Sequence, residues 1–468
     1  MTPVALTKRP LRPRGGHEDH AQPVARPPGS PHLHPFTSSA GHHVLVPDGS
    51  RVYDIDAGLQ AELQSLIDTN DASLPVRLAE LGLHSRDAIT TGAGPIPPVR
   101  YLSLAVAQRC NLGCTYCYAD GGDFGGEPSN MEIRTGRAAI DQLLADCLPS
   151  DRIGVAFMGG EPLANRRVVH ELTTYATESA RAVGVTCTFS ITTNGTLIRP
   201  ADIDLFDQHG FAVTVSLDGI GEVHDRQRPT KGGAGTYARI VHAIGPMLAR
   251  QGRMQLTARA TVTPQNLDLR DTLDGLVALG FHGVGFAPAL ATPTGTGELH
   301  APDLDRLLHA LIECSDEFVR RLARGERYPF TNVTSALQLI HAGAHRPYPC
   351  GAGAAYLGVD ANGEASACHR FVGSNDARMG DVESGWDDGA RATWLAERHV
   401  DRQEPCRSCW ARYLCGGGCH HEVLARGRHA CDFVRGWLAH CLVTYVEVAT
   451  RFPGWFARDD VHFSPLSG

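Results

Sequence analysis

The sequence predicts an α/β protein: a partial (β/α)6 barrel with a small N-terminal α+β unit ahead of it and a cysteine-rich C-terminal domain behind it. Six apolar, β-branched runs between residues 101 and 290 alternate with amphipathic helical segments, the pattern of right-handed βαβ units in a parallel sheet. Six units fall short of the eight that close a barrel, so the sheet is expected to stay open. The third observation concerns the cysteines: of 14, eight fall between residues 350 and 441, which marks a second, metal-bearing domain.

Residues 1–40 are rich in Pro, His and Arg, lack apolar periodicity and are expected to be a disordered tail, with the "HEDH" at 17–20 solvated. In the α+β unit, 41–92, "HHVLVPDGSRVYDID" reads as two short strands joined by a Pro-Asp-Gly turn, and residues 57–67 and 75–83 have helical patterns. The barrel, 96–300, takes its strands from "YLSLAVA", "RIGVAFMGG", "CTFSITTNG", "AVTVSLDG", "QLTARATVT" and "HGVGFAPAL". Ligands bind such sheets at the carboxyl ends of the strands. The unusual sequence falls there: three cysteines after the first strand, "GGEP" after the second, "TTNGT" after the third and "SLDG" after the fourth. A helical bridge, 301–345, leads to the second cysteine region, 346–445, and a tail, 446–468.

Composition narrows the function. A chain of 468 residues, 42% apolar and 20% charged, is long enough for two or three packed domains. A net charge of −8 gives no reason to expect nucleic acid as a partner. No apolar run approaches a membrane span and the first residues form no signal peptide, so a cytoplasmic protein without a membrane partner is expected. In that compartment the cysteines are free for metals or catalysis, not for disulfides.

Cys110, Cys114 and Cys117 form C-x3-C-x2-C in "RCNLGCTYCYADGGDFGG". Zinc would want a fourth Cys or His nearby, and Asn111, Thr115 and Tyr118 supply none. A [4Fe–4S] cluster fits better, because three thiolates leave one iron open to a small molecule. This spacing resembles that of the radical S-adenosylmethionine (radical SAM) enzymes, and the resemblance extends along the six-unit region. It implies that the open iron chelates the amino and carboxylate groups of SAM, and that reduction yields a 5′-deoxyadenosyl radical that takes a hydrogen from the substrate. Gly159, Gly160 and Glu161 of "GGEP" resemble the motif that meets the methionine ammonium. Asn194, and Ser216 with Asp218, stand where the family places polar groups near the methionyl moiety and ribose, and Arg228 could pair with the SAM carboxylate. Each loop also has a bland reading as a turn or a helix cap.

The later cysteines, Cys350 and Cys368, then Cys406, Cys409, Cys415 and Cys419, then Cys431, resemble the SPASM extension of peptide-modifying radical SAM enzymes. The resemblance implies two auxiliary Fe–S clusters, of [4Fe–4S] type: a distal one on Cys406, Cys409, Cys415 and Cys431, and a proximal one on Cys350, Cys368 and Cys419. The proximal site is one ligand short, leaving Cys441, His345 or a substrate thiolate to close it, with a vacant or exchangeable position preferred. Cys441 also reads as a buried helix residue, and Cys147, Cys187 and Cys314 as core. His369, next to Cys368, stands where some relatives carry an acidic base; its alternative is a histidine bonded to backbone or stacked on the cluster. His420, His421 and Glu422 lack the spacing of a zincin motif.

The segments "YCYADGGDFGG" and "CHRF" resemble those of ribosomal-peptide maturases. The expected function is a radical SAM oxidoreductase that abstracts a hydrogen from a precursor peptide, leader and core, and closes an intrapeptide C–S or C–C crosslink, with flavodoxin or ferredoxin as reductant. Sulfatase-maturase-type formylglycine formation and peptide epimerisation are the alternatives, with a non-catalytic Fe–S carrier a third. The 41–92 unit is either a leader-recognition element working by β-augmentation or a plain cap on the barrel.

Overall fold

The computed structural model describes residues 33–48, 50–83 and 94–457. The N-terminal unit is a three-stranded antiparallel sheet, β1 (His34–Ser38), β2 (Gly41–Val46) and β3 (Arg51–Ile55), followed by helices Ala57–Asp68 and Leu74–Glu80. Strand β1 corrects the tail expected to run to residue 40. Pro35 is tolerated because β1 is an edge strand, and the His34 ring stacks on Trp410 at 3.8 Å. The rest of the tail, with "HEDH", and residues 84–93 lie outside the described residues. Asp56 caps the first helix by accepting from Leu59 N at 2.8 Å, a bond worth about 1 kcal/mol. Val44, Val46, Leu59 and Leu63 form a small core of their own, while Leu45 joins the main one. Asp48 pairs with the buried Arg412 at 3.3 Å, fixing the unit to the C-terminal region.

All six expected barrel strands form. They are β4 (Tyr101–Gln108), with the two-residue β5 (Ser129–Asn130) against its end, then β6 (Arg152–Gly159), β7 (Thr186–Thr193), β8 (Ala212–Ser216), β9 (Gln255–Val262) and β10 (Gly283–Pro288). Apart from β5 they are parallel, in the order β10-β9-β8-β7-β6-β4. Helices on the outside, among them Ile133–Leu144 and Arg166–Ala182, cover the apolar face; a Cβ on Gly136 would come within 2.2 Å of Leu172, so those two helices pack closely. Phe157, Phe206 and Phe211 are fully buried there, and truncating one to Ala is expected to cost about 3–5 kcal/mol.

The sheet does not stop at the barrel. Strand β11 (Tyr356–Val359) pairs parallel with β4, and β12 (Glu364–Ser366), β13 (Arg378–Asp381) and β14 (Gly385–Trp386) extend it antiparallel. The second cysteine region therefore grows from the barrel's own edge. Helices Ala301–Ala323 and Thr331–His341 bridge to it, and the long helix Cys431–Arg451 packs on both. That helix corrects the tail expected from residue 446: Val446, Val448, Ala449 and Trp455 are buried, because apolar spacing continues to the end of the helix. No helix among the described residues is long and apolar enough to cross a membrane.

Candidate active site at the carboxyl ends of the strands

Cys110, Cys114 and Cys117 leave the end of β4 on a loop held from two sides. Gly160 N donates to Ala107 O at 2.8 Å and Glu161 N to Arg109 O at 3.0 Å; on the other side Gly113 N donates to Pro229 O at 2.8 Å. The glycines make this approach possible. Gly159 has φ +135°, and a Cβ there would meet Ala107 O at 2.3 Å; on Gly160 it would meet Arg109 O at 2.5 Å; on Gly122 it would meet Cys110 N at 2.8 Å. In "GGDFGG", Gly122 is thus the glycine wedged beneath the first cysteine, while Gly121 and Gly125 have open space beside them.

Electrostatics groups the thiols. Cys110 and Cys117 act on Cys114, whose pKa burial pushes up to about 11. Leu112 N donates to Cys110 Sγ at 3.4 Å. Cys350 and Cys419 act on Cys368, pushed up by burial to about 12, and Cys409, Cys415 and Cys431 act on Cys406, pushed up by burial to about 11. Gly417 and Gly418, both at positive φ, turn their N–H groups on Cys415, a nest suited to thiolate. The three groups stand in series: Tyr118 lies within the fields of Cys117 and Cys368, and Arg346 within those of Cys350 and Cys415. No three His, Cys, Asp or Glu among the described residues converge on a point that would hold one metal ion.

The remaining cysteines belong to the fold. Cys441 is buried on the helix Cys431–Arg451 and no charged group acts on it. Cys314 is fully buried, and Cys147 and Cys187 pack against the same core. His345 packs at a tilt on Tyr413, ring centroids 3.8 Å apart, and lies within the fields of Asp48, Asp401, His399 and Arg412.

The polar residues after β6, β7 and β8 form one buried network. Glu161 accepts from Leu163 N (3.0 Å), Thr193 Oγ1 (2.8 Å) and Asn194 N (2.7 Å) and is 0% exposed. Burial pushes its pKa up against the pull of these bonds. Its three donors and complete burial also make this carboxylate a pin between two loops. Asn194 donates to Asn111 Oδ1 (2.9 Å) and accepts from Thr196 N (2.9 Å), tying the third loop to the cysteine loop. Asp218, also 0% exposed, accepts from Thr261 N (2.9 Å) and from the Tyr116 hydroxyl, which in turn accepts from Arg228 Nη1 (2.5 Å). Burial alone would lower the Arg228 pKa, but Cys114, Tyr116 and Asp218 outweigh it and hold the guanidinium charged. Arg228 Nε has no hydrogen-bond partner among the described residues: it is a buried donor within the field of Cys114, suited to an incoming carboxylate. Ser216 ends β8 half-buried, level with Arg259 on β9.

His369 is not a free base. Its Nδ1 is bonded to the Tyr356 hydroxyl at 2.8 Å, and burial, then Arg370, Arg259 and His421, lower its pKa to about 3. An imidazole so far from neutrality accepts protons poorly at pH 7. The sequence reading missed the residues around it. Tyr118 meets the His369 ring edge-on at 5.9 Å, and Arg370 lies over Tyr118 at 5.3 Å while pairing with Glu422 at 2.6 Å and donating to Cys419 Sγ at 3.7 Å. Arg259 was legible as the one charge in "QLTARATVT", an apolar strand run where a charge needs a reason.

Residues 104–274 match the sequence model of the Radical SAM superfamily. The chain is 24% identical over 361 residues to the serine-type anaerobic sulfatase-maturating enzyme of Klebsiella aerogenes, covering 73% of this chain and 85% of that one. Among solved structures it resembles native anSMEcpe with bound AdoMet and Cp18Cys peptide, with TM-score 0.62, 19% identity and coverage of 76% of this chain and 100% of that one. It also resembles Streptococcus suis SuiB bound to precursor peptide SuiA, with TM-score 0.51, 15% identity and coverage of 84% and 95%.

Proposed function

We propose, from the radical SAM domain that this chain carries, a peptide maturase that abstracts a hydrogen from a ribosomally made precursor and closes a C–S or C–C crosslink within it. The observation that carries the reading is the series of three cysteine groups. Cys110, Cys114 and Cys117 would hold the SAM-site [4Fe–4S] cluster; Cys350, Cys368 and Cys419 the proximal auxiliary cluster; Cys406, Cys409, Cys415 and Cys431 the distal one. When bound, the first cluster and SAM supply a hydrogen-abstracting radical, and the auxiliary clusters an exit for the surplus electron.

The chain's own residues bind and orient. The Gly159–Gly160 backbone and Asn194 shape the methionyl end of the SAM site, Ser216 and Asp218 its ribose side, and the Arg228 guanidinium receives the SAM carboxylate. His369, bonded to Tyr356, positions the Tyr118 ring between the first two cysteine groups. With Cys441 in the apolar core and His345 beside Tyr413, the fourth position of the proximal cluster is left to a substrate thiolate. The reductant is a flavodoxin or ferredoxin.

A precursor peptide also explains the N-terminal unit. Among the described residues strand β3 is an edge, paired with β2 alone, and an extended leader would add to it as a further strand. The likeness to anSMEcpe leaves about a quarter of this chain unmatched, given its 76% coverage, whereas that to SuiB with its precursor reaches 84%. Formylglycine formation is the competing reading, favoured by the relative from Klebsiella. Anaerobic assay of the reduced holoenzyme with SAM separates them. Release of 5′-deoxyadenosine that a leader-bearing precursor stimulates, with short Cys- or Ser-containing sulfatase peptides left unmodified, supports the crosslinking maturase. Conversion of the sulfatase peptides overturns it, and absence of 5′-deoxyadenosine leaves only an Fe–S carrier.

A further inference from the structure

Strand β9 alternates cleanly: Leu256, Ala258, Ala260 and Val262 are buried toward the helices, and Thr257, Arg259 and Thr261 point into the barrel. Arg259 is exposed although it projects from the middle of this strand into the barrel's interior, so open space lies in front of it. Level with it stand Ser216 on β8 and Gly285 on β10, the glycine covered by Thr331, whose Oγ1 would lie 2.4 Å from a Cβ there. Across the interior, Arg370, Glu422 and Cys419 lie within its electrostatic reach. Glu422, however, is taken by Arg370 at 2.6 Å, and Arg370 is further engaged by Cys419 Sγ and the Tyr118 ring. Two guanidiniums thus face one carboxylate, and among the described residues the Arg259 side chain has no hydrogen bond or ion pair. A guanidinium held unpaired and partly desolvated is a receptor for a planar anion.

We infer that Arg259 binds a carboxylate of the substrate, either an Asp or Glu side chain beside the residue that is modified or the peptide's C-terminal carboxylate. The assignment rests on the peptide-maturase reading. Arg228 already serves the SAM carboxylate in that reading, which leaves Arg259 for the peptide. It is a specificity-determining contact: it fixes which residue of the peptide faces the radical and takes no part in bond making.

The test is binding to the full-length, cluster-loaded protein with SAM present. The probes are synthetic peptides that carry the leader of a precursor and, in the core, a single Cys and an Asp at each neighbouring position in turn, each made also as its Asn twin, and as C-terminal acid and amide. The wild-type protein should bind one Asp form, or the acid form, about tenfold or more tighter than its neutral twin, which identifies the source of the carboxylate. In Arg259→Gln the preference should vanish, and in Arg259→Lys it should persist in part, with SAM affinity and the spectra of the reduced clusters as in the wild type. No acid preference in the wild type, a preference that survives in Arg259→Gln, or a loss of SAM affinity in that variant would each overturn the assignment. Failure of every peptide to bind, charged or neutral, would instead count against the peptide reading itself.

Discussion

Gly160→Ala tests how tightly the strand ends build the site. Gly160 carries no positive φ, so alanine brings no backbone strain there; the cost is steric alone. The added Cβ would lie 2.5 Å from Arg109 O, 2.6 Å from Arg109 C and 2.8 Å from Gly122 Cα. All three are backbone atoms, and an ordinary carbon contact needs about 3.5 Å, so the segment entering Cys110 must retreat by roughly 1 Å. Overpacking of this kind costs about 1–3 kcal/mol, and here it falls on the loop that carries Cys110, Cys114 and Cys117. Anaerobic reconstitution followed by iron and sulfide analysis should find about eight irons per chain against about twelve in the wild type, if each cluster holds four, with 5′-deoxyadenosine formation lost. Gly121→Ala is the matched control: its φ of +74° brings αL strain of about 1 kcal/mol, but nothing lies within 4 Å of the new Cβ, so the iron count should hold. A Gly160→Ala protein with full iron content and wild-type SAM cleavage would refute the close-approach argument.

Other expectations follow from the same geometry. With its pKa held at about 11 by burial, Cys114 in the metal-free protein should be alkylated about a hundredfold more slowly at pH 8 than an ordinary thiol, and about tenfold faster for each pH unit gained below 11, because only the thiolate reacts; mass spectrometry of iodoacetamide-treated peptides reads this, and rapid labelling at pH 8 would contradict it. Cys441→Ser and His345→Ala should each leave the reconstituted iron count unchanged, whereas Cys419→Ser should lower it; loss of iron in either of the first two would identify the missing proximal ligand. Tyr116→Phe, which takes a hydrogen bond from the buried Asp218, should destabilise the protein by about 1–3 kcal/mol in urea unfolding and weaken SAM binding through Arg228; unchanged stability would show that the network does not organise the site.

The barrel was legible because the period of its apolar runs carried it, and the strand-end loops because glycines and polar residues interrupt those runs at fixed places. What stayed hidden depends on partners distant in the chain. The strand at His34 was masked by proline, whose edge position only the sheet explains. The burial of Glu161 and Asp218 follows from donors on Thr193, Asn194, Tyr116 and Thr261, which no local pattern announces. His369 looked like a base because imidazole titrates near neutrality; of the groups that change that, Arg370 is its chain neighbour, but Tyr356 and Arg259 come from β11 and β9. The continuation of the sheet through β11 to β14 joins two regions that composition alone separates.

The most direct measurement is tandem mass spectrometry of a precursor peptide co-expressed with this protein. The account predicts a mass lower by two hydrogens, no fragments between two joined residues, and no product when the leader is removed. Because a serine converted to formylglycine also loses two hydrogens, the sample is treated with a hydrazide. Trapping of an aldehyde, or a full fragment ladder at unchanged mass with one residue inverted, would contradict it.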